Sequence, residues 1–144
     1  MRDLLFSLLA LSALCRAAEP VWVRDIVVPD YPILAKMALL QGSVRVDIEI
    51  GPDGKVLLAK GSGGDPILLR AAENNVSRWS FVVASEVKDF PLKHTVIYLY
   101  KIQGERVVNP ECPTVVLHLP DRVEITAQPP TLYPGRAKKK PPCQ

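Results

Sequence analysis

Histidine is scarce in this chain, at two residues in 144, His94 and His118. Three cysteines accompany them, Cys15, Cys112 and Cys143, and no spacing among the five resembles a zinc-ligand set or a Cys–His nucleophile. The two histidines read as ordinary strand residues. Ser62 sits in a glycine-rich loop with no nucleophile motif around it. The stretch Gly61 to Asp65 precedes a helical pattern, but it lacks the lysine and the serine or threonine of a phosphate loop, and Asp65 repels an anion. Asp47 and Glu49 share one strand face with no further group to define an active site. These absences point away from an enzyme and from a resident metal or cofactor.

Long apolar runs are also few. Leu4 to Leu14 is the longest, and at about 11 residues it falls short of the roughly 20 needed to span a bilayer. With Arg2 before it and Ala17 and Ala18 after it, this run reads as a secretory signal over residues 1–18. The protein is therefore expected in the periplasm, the alternative being retention on an uncleaved N-terminal anchor. Lipidation at Cys15 is disfavoured because bulky Leu14 occupies the position where a lipoprotein signal takes a small residue. An exported chain would retain Cys112 and Cys143, and an oxidising compartment allows either a bridge between them or two thiols that stay reduced.

The net charge of +3 is unevenly placed. Residues 127–144 hold Arg136, Lys138, Lys139 and Lys140, no acidic residue, and five of the 14 prolines. That composition predicts a solvated, disordered tail. An exported basic tail seldom meets nucleic acid, and none is expected as a partner.

Between signal and tail the pattern alternates. Pro32 to Leu40 predicts a short helix with Ile33, Met37 and Leu40 on one face, Leu34 close by, and Gly42 placed to end it. Val44, Val46, Ile48 and Ile50 then alternate with Arg45, Asp47 and Glu49, the signature of a strand with one dry and one wet face. Gly51 to Gly54 predicts a turn and Lys55 to Lys60 a second strand, making a hairpin. Asp65 is placed to cap a helix that begins at Pro66, with Leu68, Ala72, Val76 and Trp79 as its apolar stripe. Thr95 to Ile102 predicts a strand apolar on both faces, so Ile97 and Leu99 call for shielding. Thr114 to Leu119 and Val123 to Thr126 are a strand pair that could supply it, and a partner chain is the alternative.

The order helix, hairpin, helix, strand over Tyr31 to Gly104 resembles the C-terminal domain of TonB energy transducers. The matching residues are Tyr31-Pro32 with Ala35, Gly42 before the alternating strand, Asp53-Gly54 with Val56, Ser62-Gly63, Trp79 and Phe81 closing the second helix, and Tyr100-Lys101-Ile102. The resemblance implies an α+β fold over residues 19–104, a three-stranded antiparallel sheet with two helices on one face. A β-rich extension over 105–126 follows. It implies a non-enzymatic module that binds a protein or extended peptide, such as a segment of an outer-membrane transporter, by adding it as a strand beside the last strand of the domain. In this chain that edge comprises Thr95, Val96, Ile97, Tyr98, Leu99, Tyr100, Lys101 and Ile102. A second expectation, of a structural class, is a dimer paired through the same edge. The sequence departs from a transducer in lacking the long proline-rich spacer, and Val82-Val83 stand where the family has a proline.

Overall fold

Alternation along one strand decides which way the sheet faces, and everything else packs onto the dry side. The computed structural model describes residues 21–108 and 110–131. The chain runs β1 (Val21–Asp25), α1 (Ile33–Met37), β2 (Gly42–Ile50), β3 (Val56–Ser62), α2 (Pro66–Val76), β4 (Ser80–Val83), β5 (Leu92–Ile102), β6 (Thr114–His118) and β7 (Arg122–Ala127). A five-stranded sheet has the order β3-β2-β5-β7-β6, and β1 pairs with β4 in a separate two-stranded sheet. The fold is α+β. Its antiparallel trio β3-β2-β5 and two helices match the expected architecture, and β6 and β7 extend it.

In β2, Val44, Val46, Ile48 and Ile50 are buried while Arg45 and Asp47 face water. The predicted turn forms, with Gly54 N–H donating to Gly51 O at 2.9 Å and Lys55 N–H to Asp53 Oδ1 at 3.1 Å. Gly54 has a second task. It stands at φ +78°, its carbonyl accepts from Phe81 N–H at 2.8 Å, and a Cβ there would lie 1.9 Å from Phe81 O. The hairpin tip thus docks onto β4 at a place where only a bare Cα fits.

Asp65 caps α2 by accepting from Ile67 N–H at 2.8 Å, with Pro66 in the first turn. The helix ends at Val76, earlier than the apolar stripe predicts. Trp79 lies on the turn beyond, and Phe81 belongs to β4, yet both are buried. Buried Asn75 ties these parts together. Its Oδ1 accepts from Trp79 Nε1–H at 3.1 Å and from Tyr98 O–H at 2.8 Å, while its Nδ2 donates to Val27 O at 2.8 Å. One amide therefore joins α2, β5 and the segment after β1, leaving no polar atom of its own unmet in the core.

The first helix departs from expectation in length and orientation. It spans five residues, buries Ala35, and turns Ile33, Leu34 and Met37 outward, because Tyr31 fills the space beneath it. The Tyr31 hydroxyl donates to Leu40 O at 2.5 Å, and its ring meets Tyr100 edge-on at a centroid distance of 5.2 Å. With this tie in place Leu39 takes the left-handed conformation after the helix, at φ 56°, and Gly42, at φ +146°, opens β2 instead of ending α1. Pro32 occupies the position just before the helix.

The expectation of shielding is also corrected. The β6–β7 pair does not lie over the outer face of β5. It lengthens the sheet edgewise, so Ile97 remains 40% exposed, and its buried Val123 and Ile125 enlarge the inner core. The strands β1 and β4, unforeseen, bring Val21 and Phe81 into that core. Cys112 is disulfide-bonded. Its expected partner Cys143, the signal over 1–18 and the basic part of the tail lie outside the described residues.

Two outcomes follow from this packing. Gly54→Ala combines a left-handed φ with a backbone collision, and it should lower stability by at least about 2 kcal/mol in thermal or urea unfolding. Burial pushes the Tyr31 phenol up to about 12 and raises Tyr98 and Tyr100 as well. An unfolded tyrosine ionises near its ordinary 10.0, so this stabilisation is intact below that pH and declines as pH rises toward 12. Circular dichroism and tyrosinate absorbance should therefore change together in this alkaline window, as one unfolding transition.

Candidate partner-binding edge

The strand Thr95 to Ile102 lies in the interior of the sheet. Residues Leu92 to Tyr100 pair antiparallel with β2, and Ile97 to Ile102 pair in parallel with Arg122 to Ala127 of β7. The expectation that Thr95, Val96, Ile97, Tyr98, Leu99, Tyr100, Lys101 and Ile102 offer an open edge is therefore overturned. The physical reason is that a strand apolar on both faces is an aggregation hazard at an edge, and this chain covers it with a strand of its own. At the start of β5, His94 Nε2 lies 3.4 Å from Pro120 O and 3.3 Å from Asp121 Oδ1, so the turn before β7 closes over that end too.

The edges of the main sheet are instead β3 and β6. Beside β3 runs α2, and Glu73 Oε1 accepts from Gly61 N–H at 2.6 Å, occupying an outward donor of that strand. Beyond β6 no strand lies among the described residues.

The direction of the β6 backbone follows from its neighbours. Ile97 N–H donates to Asp121 O at 2.8 Å and Gln103 N–H to Ala127 O at 3.0 Å, so the odd-numbered peptide groups of β7 face β5. Its even-numbered groups, Arg122, Glu124 and Thr126, must then face β6, where they oppose His118, Val116 and Thr114. Val115 and Leu117 are left with N–H and C=O pointing away from the sheet. Their side chains pack on the inner core, whereas Val116 projects from the outer face and is 46% exposed. The outward row therefore consists of backbone groups held at strand spacing by a rigid sheet.

Flanking this row is a charged cluster on the outer face. Glu124 meets Lys101 Nζ at 2.7 Å, Arg122 Nε at 3.3 Å and His118 Nε2 at 3.7 Å. The Lys101 hydrogen bond, followed by the surrounding positive charge, holds the Glu124 carboxyl below the usual carboxylate range. Further along, Thr95 donates to Asp47 Oδ1 at 2.7 Å and Arg45 Nε lies 3.1 Å from the same oxygen. The Thr95 bond, then Arg45, lowers Asp47. These residues line a shallow groove of about 620 Å³ with Glu49, Lys60 and Lys93. Asp47 is thus committed to a salt-linked surface network and does not pair with Glu49 as a proton-transfer couple. Among the described residues no group of three or more His, Cys, Asp or Glu is arranged to hold a metal, and no helix among them is long and apolar enough to cross a membrane.

The remaining predicted residues form the interior. Tyr31 and Ala35 back β5, Gly42 begins β2, Asp53 and Gly54 shape the hairpin tip, and Trp79 and Phe81 pack 6.3 Å apart between centroids. Sequence reasoning missed Asn75 and the β6 edge. The alternation of Val115 and Leu117 with Thr114, Val116 and His118 was the available signal for the latter.

The described part of the chain is therefore a small helix-backed sheet whose outer strands are β3 and β6. The family model for the Gram-negative bacterial TonB protein C-terminal matches residues 27–102, and the chain belongs to that family. No curated protein and no solved structure matches it. The match ends with β5, so β6 and β7 lie beyond the matched residues.

Hydrogen exchange provides a direct check on the edge. The amides of Val115 and Leu117 should exchange far faster than those of Val116 and of Ile97 to Leu99, giving an alternating pattern along β6.

Proposed function

We propose that this protein is a non-catalytic, periplasmic protein-binding module linked to outer-membrane transport, which receives an extended segment of its partner as an added strand on β6. The carrying observation is the outward row of peptide groups at Val115 and Leu117, beside a strand with neither proline nor an acidic or Lys/Arg side chain between Thr114 and His118. Membership of the TonB C-terminal family supports the transport link. Main-chain bonding at the edge supplies affinity, and side chains alternating onto the two sheet faces supply selectivity. Export through a signal over residues 1–18 and a bridge from Cys112 to Cys143 complete the reading, the bridge fastening the chain near the start of the binding strand.

The test is a magnetic-resonance titration of the exported protein with peptides from the N-terminal segments of outer-membrane transporters. A binding peptide should shift the amides of Val115 and Leu117 first and leave those of Ile97 to Ile102 nearly unmoved. Peptides that bind while shifting amides of α1 and α2 and not those of β6 would overturn the strand-addition mode. No shift with any peptide would overturn the transporter reading.

A further inference from the structure

The outward side of α1 carries apolar surface that no packing inside the domain uses. Of its five residues only Ala35 is buried, while Ile33, Leu34 and Met37 are 56%, 61% and 39% exposed. At about 3.6 residues per turn, Ile33 and Met37 stand together on the crest of the helix, Leu34 on one flank and Lys36 on the other, with Ala35 behind. On the Leu34 flank a groove of about 440 Å³ lies between α1 and α2. Leu34, Pro66, Ile67 and Ala71 give it an apolar wall, and Arg70 and Asn74 are polar residues of its α2 side.

Positive charge brackets this surface. Among the described residues Lys36 and Arg70 take part in no ion pair, and the Asn74 side chain has no hydrogen-bond partner. The neighbouring carboxylates are turned to the main chain instead. Asp30 accepts from Tyr31 N–H at 2.7 Å, Asp65 from Ile67 N–H at 2.8 Å and Glu73 from Gly61 N–H at 2.6 Å. The outer face of the sheet differs, because Arg45, Lys101 and Arg122 there already meet Asp47 or Glu124. On the helical side, then, two cations flank exposed apolar side chains with no internal anion to hold them.

We infer that this side of the domain rests reversibly on a bilayer that contains anionic phospholipid. Ile33, Leu34 and Met37 enter the boundary between headgroups and acyl chains, Arg70 and Asn74 meet a lipid phosphate at the groove, and Lys36 reaches another headgroup on the far flank. Apolar burial and attraction to anionic lipid act together in contacts of this kind. Lysine and arginine suit them, since their stems lie along apolar surface while their heads reach the phosphates. Shape favours a bilayer over an acidic peptide. A segment laid in the groove touches Leu34 and Ile67 and leaves the crest of Ile33 and Met37 in water, whereas a soft surface covers both. So few insertions give a weak, reversible attachment. The contact uses no part of β6 and stands independently of strand addition.

Flotation of the exported full chain with vesicles tests this, using phosphatidylcholine alone and phosphatidylcholine with about one-third phosphatidylglycerol. Partitioning onto the anionic vesicles should be at least about fivefold stronger, and it should fall in about 1 M salt, where charges are screened within about 3 Å. Two double variants, Leu34→Ser with Met37→Ser and Lys36→Gln with Arg70→Gln, should each weaken it at least about fivefold with unchanged circular dichroism. The basic tail is controlled by Lys138→Gln, Lys139→Gln and Lys140→Gln together, which should leave the dependence on Leu34 and Arg70 in place. Equal partitioning onto both vesicle types overturns the assignment, as does binding that the tail substitutions abolish and the helix substitutions leave unchanged. So does a wild-type protein that ignores anionic vesicles while inorganic phosphate or an acidic amphipathic peptide shifts the amides of α1 and α2.

Discussion

The backbone of β5 is bonded on both sides along its C-terminal half, and this saturation governs the molecule. Because β2 and β7 flank it, the aromatic side chains of Tyr98 and Tyr100 lie at the centre of the inner face, where α2, Tyr31 and Trp79 can reach them. The same saturation leaves β6, and not β5, as an outer strand of the main sheet. A parallel neighbour for an otherwise antiparallel trio requires the chain to leave the end of β5 and return to its start. The passage from Gln103 to β7 by way of β6 provides that return within the sheet itself.

Two narrow contacts hold the helical side to this spine. At one, the Asn75 amide satisfies an indole, a phenol and a carbonyl that would otherwise be stranded out of water, each at a cost of about 1–3 kcal/mol. At the other, the bare Cα of Gly54 lets the hairpin tip touch β4, joining the small β1–β4 sheet to the large one. Neither contact resembles a ligand site, and both show how polar and glycine residues inside a small core serve assembly.

The parts of the fold that were legible are those in which local pattern and tertiary burial agree. Val44 to Ile50 alternates and is half buried, Asp65-Pro66 caps and starts α2, and Pro52 to Gly54 turns the hairpin. The illegible parts were set by partners distant in sequence. The outward face of α1 depends on Tyr31 reaching Leu40, and four residues of β4 become a strand only because Val21 to Asp25 lies alongside. The outer strand of the sheet was misplaced for a related reason. The two-faced hydrophobicity of Ile97 and Leu99 correctly signalled a strand needing neighbours, but a single strand's composition does not say whether the neighbour comes from the same chain.

The hydrogen bond from Gly61 to Glu73 has a consequence for the order of any assembly. With α2 beside the β3 flank, one outward donor of that strand is already taken, while no strand lies beyond β6 among the described residues. A sheet flank whose backbone donors are taken up by a side chain offers a poorer template for pairing than one whose donors are left open. The two flanks of the main sheet thus differ in kind: a helix carboxylate engages one, and the other carries the outward peptide groups of Val115 and Leu117.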